Sequence, residues 1–154
     1  MIAGMGIDVC DVARIRRALE APSGARFRAR VFTEGEQAYC EARKRARFES
    51  YAARFAAKEA AMKALGTGWG EGVGWHDVEV VRGDEGPPTL RLHGVAAALA
   101  RRRRLDAWHV SLTHTAEVAI AWVLVETASR RPAARRATAG AAGPPRPTRR
   151  RRGR

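Results

Sequence analysis

The stretch that most constrains the fold is residues 50–65, SYAARFAAKEAAMKAL, in which seven of sixteen residues are alanine. Alanine is the strongest helix former, and nothing in this run competes with a helix. Gly66 follows where a left-handed C-cap belongs, and Ser50 precedes where an N-cap would sit. At about 100° per residue, Ala52, Phe55, Ala56, Glu59 and Lys63 share one face. Arg54, Lys58, Ala61 and Leu65 share nearly the opposite face. No side reads as solvated, so the helix is predicted to be packed on more than one side. Its charged side chains then need partners or ligands.

The rest of the chain supplies the elements for that helix to pack against. Residues 1–8, MIAGMGID, alternate small and apolar side chains and predict a short strand ending in an acid. Residues 11–20 predict a basic amphipathic helix: Val12, Ile15 and Leu19 recur at helical spacing beside Arg14, Arg16 and Arg17. Pro22, Ser23 and Gly24 end it, and a short basic segment, ARFRARVF, follows. Thr33 and Glu36 have capping-box spacing and predict a helix over 34–46. Residues 75–81 and 89–92 flank the turn-rich RGDEGPP and predict a hairpin. A helix over 94–104, a short strand over 108–113 and a longer apolar strand over 117–126 complete the pattern. This is an α+β chain: one domain over 1–127, mostly antiparallel sheet packed against helices.

Charge would by itself suggest a nucleic-acid binder, since the chain carries a formal +13. The distribution says otherwise. Residues 128–154 hold ten arginines, no lysine and no acid, which leaves only +3 on the first 127 residues. Without hydrophobic periodicity that segment is predicted to be a disordered tail. Nucleic-acid contact by the tail is open to it without being the function. No run approaches the roughly 18 apolar residues of a membrane span, and the N-terminus has no basic, apolar leader. A cytoplasmic protein that does not enter the membrane is expected. Cys10 and Cys40 form no CxxC and read as two reduced thiols.

Several residues admit two readings. Glu59 and Lys63, at i and i+4, are either a helix-stabilising ion pair or part of a site flanked by methyl groups. Asp8 is either a turn residue or an acid at a site rim. His109 and His114 are five apart, which does not put them on one strand face, so a two-histidine metal site is not indicated. Gly66, Thr67 and the glycines at 68, 70, 72 and 74 form a connector whose amides could approach a phosphate, but they match no nucleotide fingerprint. No Ser/His/Asp triad is legible.

Taken together in order, MIAGMGIDVCDVARI, RFRARVFTEGE, RFAAKEAAMKALGTG, WHDVEV and HVSLTHT resemble the holo-acyl-carrier-protein synthases. These are the small bacterial 4′-phosphopantetheinyl transferases. The resemblance covers residues 1–126; the tail and the run Arg101–Arg104 depart from the family pattern. It implies a 4′-phosphopantetheinyl transferase-type fold. It also implies transfer of the 4′-phosphopantetheine arm of coenzyme A to a serine of apo-acyl carrier protein, with release of adenosine 3′,5′-bisphosphate, in support of fatty acid biosynthesis. Mg²⁺ is implied, held by Asp8 and Glu59, with Lys63 as the third catalytic residue. Arg54, Lys58, Gly66, Thr67, His109 and Ser111 are implied to meet coenzyme A. Arg14, Arg26, Phe27 and Arg30 are implied to dock the acidic carrier protein. A homotrimer with its sites between subunits is expected. The attacking serine belongs to the partner, which accounts for the absence of a legible nucleophile.

Overall fold

The computed structural model describes residues 1–67, 72–82 and 86–127. The expected disorder of 128–154, the glycines at 68 and 70, and the centre of the RGDEGPP turn lie outside the described residues. Strand β1 (Ile2–Asp11) runs into helix α1 (Val12–Glu20), followed by α2 (Gly24–Val31), α3 (Glu34–Ala42) and α4 (Arg47–Leu65). A short hairpin, β2 (Val78–Val81) and β3 (Thr89–Leu92), precedes α5 (Gly94–Arg103), β4 (Leu105–His114) and β5 (Val118–Thr127). Three strands form an antiparallel sheet in the order β1-β5-β4, and β2-β3 form a second, two-stranded sheet. The α+β expectation therefore holds for the described residues.

Helix α4 lies across one face of the larger sheet, and two glycines explain how close it comes. A Cβ at Gly6 would overlap the Ala60 carbonyl oxygen, and one at Gly4 would overlap that of Ala64. Alanines along α4 and Ala119, Ala121, Val123 and Val125 of β5 complete a dry contact of small side chains. Fourteen of the nineteen α4 residues are buried, as the absence of a polar face predicted.

Several boundaries differ from expectation. ARFRARVF folds as α2; Phe27 and Val31 are the i, i+4 apolar pair that carries it, and Phe27 packs edge-on against Phe32 at 6.2 Å. Helix α3 stops at Ala42 rather than 46, because Lys44 adopts a left-handed φ of 42° and a short 3-10 turn follows. Helix α4 begins at Arg47, so Ser50 is a buried residue of its first turns and not its N-cap. Trp75–Asp77 form a 3-10 turn ahead of β2 rather than the start of a strand. Strand β1 continues to Asp11, whose side chain caps α1 by accepting from the Arg14 amide at 2.9 Å. Thr33 and Glu36 do form the capping box, and Gly66 takes the left-handed C-cap at φ 75°.

The run Arg101–Arg104 finds a local purpose. Arg104 turns the chain into β4 with a left-handed φ of 57°. The Arg103 guanidinium donates to the Leu65 carbonyl, one of the last open acceptors of α4. Among the described residues no helix is long and apolar enough to cross a membrane.

Candidate functional site

Strand parity decides which candidate residues meet. Across the sheet Asp8 pairs with Ala121 and Ala121 with Leu112. This row faces α4, so the Asp8 carboxylate points to the helix that carries Glu59 and Lys63. Lys63 Nζ lies 2.8 Å from Asp8 Oδ1 and also donates to the Ile7 carbonyl at 3.0 Å. The ammonium thus reaches across to the strand, a contact the i, i+4 spacing to Glu59 did not reveal. Burial pushes the thiol of Cys10 up to about 11, and the charges of Asp8 and Glu59 help to raise it, so Cys10 is a core residue and no nucleophile. Cys40, buried as well, is likewise a free thiol, pushed up to about 12.

Glu59 opens onto a cavity of about 500 Å³ between α1, α2 and α4. Ile15, Ala18, Val31, Phe55 and Trp75 make its apolar lining, with Arg14, Phe27 and Arg30 among its other walls. The Phe55 and Trp75 rings stack at 4.8 Å, and the Arg14 guanidinium stands 5.6 Å from the Phe55 ring centre. Arg26 joins Phe27 and Arg30 around a shallower neighbouring hollow. The four residues expected to dock a carrier protein therefore converge beside Glu59.

A second constellation surrounds Arg54, which is 4% exposed. Its guanidinium lies 3.8 Å from the Tyr39 ring centre, and its Nε is buried without a hydrogen-bond partner among the described residues. Arg43 and Arg82 donate to the Tyr39 hydroxyl at 2.6 and 3.3 Å. Burial pushes the Tyr39 phenol up, but the hydrogen bond from Arg43 and the charges of three arginines outweigh it and leave the pKa below the usual tyrosine value. Ser50, Pro88, Leu112 and His114 line the same pocket. Three guanidiniums around one phenol give this region a positive potential of the kind that suits an anion. Of these residues the sequence marked Arg54 for coenzyme A and weighed His114 only as a metal ligand; Tyr39 and Arg43 are i, i+4 at the end of α3, while Arg82 and His114 follow β2 and end β4.

Lys58 is corrected by the structure. It is 0% exposed, and its ammonium is met by Glu36 Oε2 at 2.8 Å, the Trp75 carbonyl at 2.8 Å and the Val78 carbonyl at 2.6 Å. An ammonium has three donors, so none is left for coenzyme A. Burial pulls its pKa below the ordinary lysine value against the pull of Glu36. Lys58 instead ties α3, α4 and β2 together. The hydroxyl and amide of Thr67 both donate to the Met62 carbonyl, at 3.3 and 3.2 Å. The Gly66 amide is likewise used inside the helix turn, on the Lys63 carbonyl at 3.0 Å.

His109 and Ser111 lie elsewhere. His109 pairs with Leu124 and Ser111 with Trp122, and these belong to the row of Met5 and Ile7, on the sheet face away from α4. Within one chain they do not share a face with Asp8. Their face is apolar and uncovered: Ile7, Val9 and Trp122 are 58%, 59% and 52% exposed.

The sequence pattern of the 4′-phosphopantetheinyl transferase superfamily matches residues 4–123. The holo-[acyl-carrier-protein] synthase of Solibacter usitatus is 52% identical over 126 residues, covering 82% of this chain and 99% of its own. That of Anaeromyxobacter sp. is 55% identical over 128 residues, covering 82% and 97%. Among solved structures, a holo-(acyl-carrier-protein) synthase from Bacillus anthracis in complex with CoA (3′,5′-ADP) superposes with a TM-score of 0.67 at 36% identity, covering 83% of this chain and 99% of that one. The Helicobacter pylori enzyme in complex with coenzyme A superposes with a TM-score of 0.69 at 27% identity, covering 79% and 99%.

Proposed function

The chain belongs to the 4′-phosphopantetheinyl transferase superfamily, and on that premise we propose how its residues carry the family's reaction. It transfers the 4′-phosphopantetheine arm of coenzyme A to a serine of apo-acyl carrier protein and releases adenosine 3′,5′-bisphosphate. The observation that carries the residue assignment is the meeting of Asp8 and Lys63 across β1 and α4, with Glu59 at the mouth of the neighbouring cavity.

Asp8 and Glu59 are the residues that would hold Mg²⁺. The donor set fits in kind: two carboxylates match a hard cation that completes its shell with water and phosphate oxygens. Such a cation would polarise the pyrophosphate and stabilise the leaving phosphate. Lys63 holds Asp8 in place and adds a positive charge where phosphate charge develops. The buried Nε of Arg54, unpartnered among the described residues, and the guanidiniums around Tyr39 suit a phosphate of coenzyme A, the 3′-phosphate being the one remote from the reaction. Arg14, Arg26 and Arg30 give the cavity beside Glu59 a basic rim suited to an acidic carrier protein.

The split between Asp8 and His109 supports a homotrimer in which His109 and Ser111 complete the site of a neighbouring chain, sharing the 3′-phosphate of coenzyme A with that chain's Arg54. The uncovered apolar sheet face is the surface such an assembly would bury. The transferase domain is taken to end at Thr127; the ten arginines of 128–154 would attract acidic carriers in the cytoplasm, where fatty acid biosynthesis would use the product. The test is a mass-shift assay with apo-carrier, coenzyme A and Mg²⁺: the carrier should gain about 340 Da, the mass of the arm in this group transfer. A carrier left unmodified by active-concentration enzyme would refute the reading.

A further inference from the structure

On the sheet face away from α4, His109 Nε2 lies 3.0 Å from Glu126 Oε2. The two side chains sit on adjacent strands, β4 and β5, and both line a concavity of about 430 Å³ together with Ile2, Ser111, Trp122 and Leu124. A carboxylate at that place needs a reason. If His109 meets a phosphate of coenzyme A, a bare Glu126 in the same hollow would repel the ligand. Its position against the imidazole gives the opposite effect. A carboxylate can only accept, so the nitrogen facing it must carry a proton. The ring is then fixed in orientation and Nδ1 is the nitrogen turned away from Glu126; a phosphate at Nδ1 would be met by the doubly protonated ring, in which both nitrogens donate.

We propose that Glu126 is a positioning residue for coenzyme A binding: it holds the His109 imidazole so that Nδ1 faces the phosphate. This rests on the reading that His109 contributes to the coenzyme A site. It assigns a role to a residue that the resemblance did not mark. Glu126 needs no contact with substrate; it acts through His109 alone. Ser111, paired with Trp122 on the same face, stands near enough in register to share the ligand.

The experiment uses the full chain with coenzyme A and with 3′-dephospho-coenzyme A as alternative substrates. For Glu126→Gln, KM for coenzyme A should rise about tenfold, the size of one lost charge-assisted interaction. KM for the dephospho compound, KM for the carrier and kcat should stay within about twofold, because only the 3′-phosphate contact depends on the ring. His109→Ala should show the same pattern, and the double variant should add nothing to it. If His109→Ala raises KM for coenzyme A and Glu126→Gln leaves it unchanged or lowers it, the positioning role is wrong while the site reading stands. If His109→Ala leaves KM for coenzyme A unchanged, the site reading itself is wrong and the inference goes with it. An equal rise for both substrates would mean that Glu126 merely supports the fold, which also overturns the proposal. Should Glu126→Gln fail to fold, the wild-type enzyme supplies the answer through its ¹⁵N spectrum. His109 must carry a proton on Nε2, and a bare Nε2 would overturn the proposal.

Discussion

The two faces of the three-stranded sheet are built by the same strands and differ in almost every physical respect. The face under α4 is glycine and alanine against alanine, close enough that Gly4 and Gly6 have no room for a Cβ. The opposite face carries Met5, Ile7, Val9 and Trp122 into solvent. The first is finished within one chain. The second presents an apolar surface that a lone chain leaves wet, and it is the face that carries His109 and Ser111. The difference teaches that a site can be divided by strand parity: Asp8 and His109 belong to one sheet and still look in opposite directions.

The strongest way to break the comparison is to remove charge from the inner face. Asp8→Asn or Glu59→Gln should lower the rate at least about 10²-fold, because each removes a carboxylate from the charge-stabilising centre. EDTA should stop turnover and excess Mg²⁺ restore it; full activity in both variants would remove these residues from the centre.

Next in size is the outer face. Trp122→Asp should leave a folded chain of monomer size in light scattering and lose most activity, since a charge on that surface opposes association. A mixture of Glu59→Gln and His109→Ala chains sharpens the point. If each site takes Glu59 from one chain and His109 from its neighbour, about a quarter of the sites in an equal mixture regain both residues. No recovery in mixed oligomers would mean that a single chain supplies the whole site.

A smaller effect is expected for Gly6→Ala, which should destabilise the fold by about 1–3 kcal/mol as the helix is pushed off the strand. A denaturant midpoint equal to that of the wild type would contradict the close approach. The smallest effect lies away from both faces. Burial pushes the Glu79 carboxyl up, but hydrogen bonds from His93 and Thr33 and the charges of His93 and Arg91 more than offset this and hold it below the usual carboxylate value. Its contribution to stability is therefore present above the unfolded carboxylate pKa and is lost as pH falls through the folded value. Thermal melts of wild type and Glu79→Gln should differ at neutral pH and converge as pH falls from about 5 towards 3. A gap that stays constant would show that Glu79 does not titrate this way.

The strongly periodic elements were legible from sequence. Alanine density and Gly66 pointed to α4, Thr33 and Glu36 to the start of α3, alternation to the middle of β4, and a continuous apolar run to β5. What escaped was tertiary in origin. Ser50 looks like a cap until Arg47 and Phe48 extend the helix past it. Lys58 looks like a ligand residue until Glu36, 22 positions earlier, is brought beneath it. The Asp8 and Lys63 contact spans 55 positions, and the arginines around Tyr39 come from segments with no common motif. Motif resemblance named Asp8, Glu59 and Arg54, but strand parity and burial were needed to say which residues share a surface.

Glu36 has a consequence for how this chain can change over time. The same carboxylate completes the capping box of α3 through the Thr33 amide, accepts the Val80 amide at 2.9 Å and neutralises Lys58, all at 1% exposure. Losing Lys58 alone strands a buried anion; losing Glu36 alone strands a buried cation and three backbone-linked elements with it. Single substitutions at either position are therefore costly steps, and the two residues can be exchanged only as a pair. Lys58 is the immediate neighbour of Glu59. The buried pair at Lys58 thus acts as an evolutionary anchor for the position beside it.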